Sequence, residues 1–100
     1  MPNRLCKALL HVMPTELGGR QTPFFGDYRP IFFAAGASLG TSFLLQKIEN
    51  AEQMKPGESG VVHGLLLHPE EVGVPVGKGT EFELREGHKV VATGIIQEYS

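Results

Sequence analysis

Four histidines, a single cysteine and two pairs of acids are the side chains whose types suit chemistry here. A metal centre needs nitrogen, sulfur or carboxylate ligands that converge at regular spacing. His63 and His68 are five positions apart, and alternation along a strand turns them to opposite faces. His11 and His88 are distant from both. No Cys/His/Asp group has ligand spacing, so no metal is expected. Cys6 shares its alternation with Ala8, Leu10 and Val12. A free cysteine in an apolar set is ordinarily a small buried hydrophobe. A nucleophilic thiolate would need an electropositive setting to lower its pKa, so no catalytic role is expected of Cys6. Glu70-Glu71 and Glu81/Glu83 carry no pocket signature. Glu81 and Glu83 alternate with Phe82 and Leu84, which places them on the solvent face of a strand. No phosphate-cradling Gly-x-x-x-x-Gly-Lys-Ser/Thr occurs. These readings predict no catalytic residue, no cofactor and no enzyme activity.

Charge narrows the partners. The net charge is −2 and the pI is near 6.0. Nucleic-acid-binding domains usually carry a basic patch and a high pI, so autonomous tight RNA or DNA binding is disfavoured. Arg20, Arg29 and Lys89 offer a local basic face, or a solvated surface with acidic neighbours. Arg29 also has Asp27 and Glu16 as candidate partners. A lone cysteine excludes an internal disulfide and fits a reducing cytoplasm. No run reaches the roughly 18 apolar residues of a membrane span. Leu9 to Met13 is too short for a signal-peptide core. A cytoplasmic protein without membrane contact is expected.

The elements that must position these groups read as strands. One hundred residues fit one domain, here 1–100. Leu5 to Met13 alternates, with Cys6, Ala8, Leu10 and Val12 facing a core. Pro14 ends it. Thr15 to Tyr28 is broken by Gly18-Gly19, Pro23 and Gly26-Asp27 and reads as a long loop. Arg29 to Ala35 and Leu39 to Ile48 read as strands, with a short helix over Thr41 to Glu52 as the alternative to the second. Asn50 to Gly60 is a polar connection around Pro56-Gly57. Gly60 to His68 is a strand stopped by Pro69, and Glu70 to Gly79 is a loop. Thr80 to Ile96 is a hairpin turning at Glu86-Gly87-His88, where glycine supplies positive φ. Turn signals about every ten residues fit an all-β sandwich or barrel. A closed barrel would leave no exposed edges.

Several landmarks resemble a known family in order. They are Leu9-Leu10-His11-Val12-Met13, then Gly18-Gly19-Arg20-Gln21-Thr22-Pro23-Phe24-Phe25, then Tyr28-Arg29-Pro30. Met54-Lys55-Pro56-Gly57-Glu58, His68-Pro69 and Arg85-Glu86-Gly87 follow. Together they resemble the third, C-terminal β-barrel domain of bacterial translation elongation factor Tu, as a stand-alone domain. The resemblance implies an all-β, six-stranded antiparallel closed barrel. It also implies a noncatalytic, translation-related binding module without a GTPase of its own. The alternative is a protein-interaction or regulatory module that kept the barrel and left translation.

Site residues follow from the same resemblance. Arg85, Glu86, Gly87, His68 and Lys89 become candidates for weak transfer-RNA contact. Ile31 stands where the family has a glutamine on its RNA-contacting face, so that contact is lost. In the family the outer barrel surface docks a GTPase domain. Phe24, Phe25, Tyr28 and Arg29 become candidates for contact with such a domain or another translation protein. Phe32 and Phe33 are adjacent on a strand, so one must point outward. An exposed aromatic there would mark a contact surface, unless the Thr15–Tyr28 loop covers it.

Overall fold

The computed structural model describes residues 3–100. Six strands close a barrel: β1 (Arg4–Val12), β3 (Ile31–Ala34), β4 (Thr41–Ile48), β6 (Ser59–Leu66), β7 (Glu81–Glu86) and β8 (Lys89–Tyr99). Two further strands, β2 (Phe24–Phe25) and β5 (Gln53–Met54), form a separate two-stranded sheet. Around the barrel the order is β1-β6-β4-β3-β7-β8, with β8 returning to β1. Every pairing is antiparallel. Among the described residues no helix is long and apolar enough to cross a membrane.

Period-two alternation decides which side chains fill the barrel. Cys6, Ala8, Leu10 and Val12 of β1 are buried, as the sequence predicts. Phe32 on β3, Phe43 on β4 and Phe82 on β7 meet at the centre. The Phe32 and Phe82 ring centroids are 4.7 Å apart, and Phe43 lies 6.4 Å from each. Burying each ring stabilises the fold by roughly 1.5–3 kcal/mol. Room for Phe43 comes from Gly64 on β6, where a Cβ would lie 2.2 Å from the Phe43 Cζ. Thr41 is a buried polar residue, and its hydroxyl donates to the Leu67 carbonyl.

The structure bears out one disputed element and departs from the sequence reading in two places. Thr41–Ile48 is a strand, as the sequence reading prefers, so the helical alternative fails. Its neighbours are Phe32 and Leu66, and both ladders supply hydrogen bonds that a helix would forgo. The closing strand runs to Tyr99 rather than Ile96, because β8 borders β1 as well as β7. The connections read as loops carry structure of their own. Thr15–Leu17 is a 3-10 turn ended by Gly18 at φ 95°, and β2 pairs with β5. Beyond β2 the chain follows β4: Asp27 N–H donates to the Leu45 carbonyl at 2.7 Å, and Leu45 N–H donates to the Tyr28 carbonyl at 2.8 Å.

Candidate functional site

The hairpin β7–β8 carries four of the five residues predicted for RNA contact: Arg85, Glu86, Gly87 and Lys89. Glu86 faces Lys89 across the two-residue turn Gly87-His88. Gly87 has φ 62° and His88 does not enter the left-handed region. That is the pattern of a II′ turn, with glycine at its first central position. One extra residue bulges opposite Leu84 and Arg85, so Val91 and Ala92 are both buried.

Glu86 receives the long loop. Arg20 Nη1 donates to its Oε2 at 2.5 Å, and the Tyr28 hydroxyl donates to the same oxygen. The Arg20 guanidinium lies over the Tyr28 ring at 4.5 Å and the Phe24 ring at 5.7 Å. Its other donors reach Thr22, at 2.6 Å to the hydroxyl and 3.3 Å to the carbonyl. Thr15 Oγ1 donates to the Arg20 carbonyl at 2.6 Å. Burial, and then the hydrogen bond to Glu86, raise the Tyr28 pKa above the ordinary tyrosine value. Gly19 fits this fold-back because a Cβ would sit 2.3 Å from the Met13 carbonyl oxygen. The loop therefore docks on its own barrel.

Arg85 points along the outer face. Its guanidinium stacks on Phe33 at 4.1 Å and donates twice to Glu83 Oε1, at 3.0 and 2.7 Å. Phe32 is the inward member of its pair and Phe33 the outward one. Arg85 and Phe33 line a groove of about 570 Å³ across β1, β8, β7 and β3. Register places its floor in rows: His11, Thr93, Glu83 and Phe33 in one, Leu9, Ile95 and Glu81 in the next. Leu9 is 42% and Ile95 37% exposed. The Ala35–Ala37 segment forms one wall, and Ser59 lies at the far end, hydrogen-bonded to His11.

The predicted residues thus divide. Arg85, Glu86, Gly87 and Lys89 share the hairpin, but Arg85 is held by Glu83 and Glu86 by Arg20 and Tyr28. Lys89 is exposed at the tip. His68 is exposed after β6, at φ 50°, with Nδ1 3.6 Å from a Glu70 oxygen. Phe24 is 1% exposed and cannot meet a partner in this state, whereas Phe25 is 51% exposed. Tyr28 is half-buried beneath Arg20, and Arg29 is exposed. Among the described residues Arg29 makes no ion pair, so neither Asp27 nor Glu16 holds it.

Other groups fell outside the sequence reading. A 3-10 turn over Pro69–Glu71 brings His68, Glu70 and Glu71 within 4.8 Å of one another, all exposed. Their close spacing in sequence was a signal, though a strand-based reading turned His68 away. On the opposite barrel face His63 Nε2 meets Glu49 at 2.6 Å, with Lys7 3.9 Å from the same carboxylate. That hydrogen bond from His63 holds the Glu49 carboxyl below its ordinary value. Burial pushes the Cys6 thiol up to about 11, which removes the thiolate a nucleophile needs.

The Gly18-Gly19-Arg20 loop and the Arg85-Glu86-Gly87 hairpin, distant in sequence, are one physical unit in this barrel. Over residues 2–100 the chain matches the family described as the elongation factor Tu C-terminal domain, and it belongs to that family.

Proposed function

We propose that this barrel is a noncatalytic protein-docking module of the translation apparatus, and that the groove across β1, β8, β7 and β3 receives its partner. Family membership supports a translation-related binding role. The observation that carries the finer reading is the groove itself. It gathers Leu9, Ile95 and Phe33 around about 570 Å³ of concave space on the outer barrel surface. Exposed apolar side chains gathered in a hollow favour a protein partner over a phosphate backbone.

Charge supports the same choice. Arg85 and Arg20 would be the natural phosphate donors, and both already serve carboxylates. Freeing either would leave Glu83 or Glu86 beside a polyanion. On the hairpin a transfer-RNA contact is thereby left to the Gly87–Lys89 tip, and it is weak. The partner class is a GTPase domain of a translation factor.

Titration of the isotope-labelled chain tests this reading. Adding a GTPase domain of an elongation factor should shift the amides of Phe33, Thr93 and Ile95, and Ile95→Asp should abolish the shifts. Adding transfer RNA at low salt should shift only the hairpin tip. Larger shifts in the groove with RNA than with protein would overturn the assignment.

A further inference from the structure

We infer that the groove selects a basic partner segment, one that pairs an apolar anchor with a neighbouring lysine or arginine. This rests on the docking reading above and adds the chemistry of the occupant. Three titratable side chains of fixed charge face the groove: Glu81, Glu83 and Arg85. Arg85 is committed to Glu83 through two donors. Glu81 is exposed and, among the described residues, has no ion-pair partner. His11, the remaining titratable group, hydrogen-bonds Ser59. Two carboxylates against one guanidinium leave one negative charge at the rim, beside Ile95.

The neighbours of Glu81 suit a long cationic side chain. Leu9, Ile95 and Glu81 are register partners on three consecutive strands. Side chains so placed lie about 5 Å apart. A lysine or arginine stem can lie along Leu9 and Ile95 while its charged end reaches Glu81, since such residues bury the stem and keep the head solvated. One row away, about 7 Å along the strands, the outward Phe33 ring forms an apolar floor for the anchor, with Ala35 and Ala37 beside it. Arg85 capping Phe33 narrows that floor and repels a second cation there. A segment with an acidic residue beside its apolar anchor would meet Glu81 directly and be disfavoured, which is how a single rim charge confers selection.

Three amphipathic helical peptides test the inference, each presenting leucine with either lysine, glutamine or glutamate one turn away. Anisotropy gives affinity, and amide shifts locate the site. The leucine–lysine peptide should bind about two- to fivefold tighter than the leucine–glutamine peptide, the effect of one exposed ion pair. Raising the salt should erase that margin. Glu81→Lys, a change at an exposed position, should invert the order so that the glutamate peptide binds best. Equal affinity of all three in the groove would overturn the charge selection and leave the docking reading standing. Absence of groove shifts with every peptide would overturn both. Groove shifts with a single-stranded oligonucleotide that exceed those with the lysine peptide would overturn the assignment of a basic protein segment.

Discussion

Arg20 and Glu86 meet at 2.5 Å across a separation of 66 positions. Their contact ties the long loop after β1 to the hairpin that closes the barrel. Tyr28 donates to the same Glu86 oxygen and lies beneath the Arg20 guanidinium, so one carboxylate holds the middle of the loop and its last residue. The arrangement turns two stretches that look like contact motifs into a mutual anchor. It also commits the Glu86 carboxylate to the loop, although the side chain stays partly exposed.

Replacing Glu86 with glutamine should loosen the loop before it unfolds the barrel. Glutamine keeps an acceptor but loses the charge that strengthens both hydrogen bonds. Glu86 is partly exposed, so solvent screening limits the loss to about 1 kcal/mol. Urea denaturation should show that small shift. Hydrogen exchange should quicken at Gly18 and Gly19, whose amides bond the Thr15 and Pro14 carbonyls, more than at Leu10. Equal change at all three amides would show that Glu86 supports the barrel rather than the loop.

Gly64→Ala should cost more, although it adds only one methyl group. The new Cβ would fall 2.2, 2.6 and 2.8 Å from three ring atoms of Phe43. Phe43 is fully buried and packs beside the stacked Phe32–Phe82 pair, so the ring cannot swing out to solvent. Overpacking of this kind costs roughly 1–3 kcal/mol. The double variant with Phe43→Leu should recover part of it, and a thermal melt of the four proteins of that cycle measures the coupling. Additive losses would mean that Gly64 matters for its backbone and not for the ring.

The barrel was legible because its information is local. Cys6, Ala8, Leu10 and Val12 declare their face by period two alone, and Gly87 declares its turn. Phe32 and Phe33 show the limit of that signal. Adjacency requires one to face out, but only register with Leu84 and Glu83 says which. Strands β2 and β5 hold two residues each, too few for any period, and their pairing joins connections about 30 residues apart. Arg20 finds Glu86, and not a near neighbour, because Gly18 and Gly19 fold the loop back over the hairpin. Nothing in the local sequence encodes that distance. The groove is less legible still, since its floor comes from four strands and its depth from the Ala35–Ala37 wall.

His63 and Glu49 give a prediction on the acid side. The hydrogen bond from His63, with Lys7 and Lys47 adding to it, lowers the Glu49 carboxyl pKa against a smaller opposing effect of desolvation. A depressed folded pKa contributes stability above the unfolded carboxylate value, and that contribution is lost as pH falls through the folded one. His63→Gln should therefore raise the Glu49 titration midpoint. Carboxyl NMR shifts report it directly. An unchanged midpoint would assign the depression to the lysines.

The alkaline side carries the larger linkage. Burial raises the Cys6 thiol from 9.0 to about 11. It also raises the Tyr28 hydroxyl, which Glu86 further holds in its protonated form. A folded pKa above the unfolded one means that the unfolded chain releases its proton first. Stability is then complete below pH 9, and declines as the unfolded thiol ionises. The Cys6 contribution is lost by the time pH passes about 11, and amounts to roughly 2–3 kcal/mol. The Tyr28 contribution begins to fall near pH 10 and continues beyond the thiol's range. Denaturation midpoints across pH 8 to 11 should fall steadily in the native chain. Cys6→Ala, less stable at neutral pH from its small cavity, should show a flatter profile over the first part of that range. Tyr28→Phe should flatten only the last part. A Cys6→Ala profile parallel to that of the native chain would mean that the thiol ionises in the folded barrel as readily as in the unfolded chain.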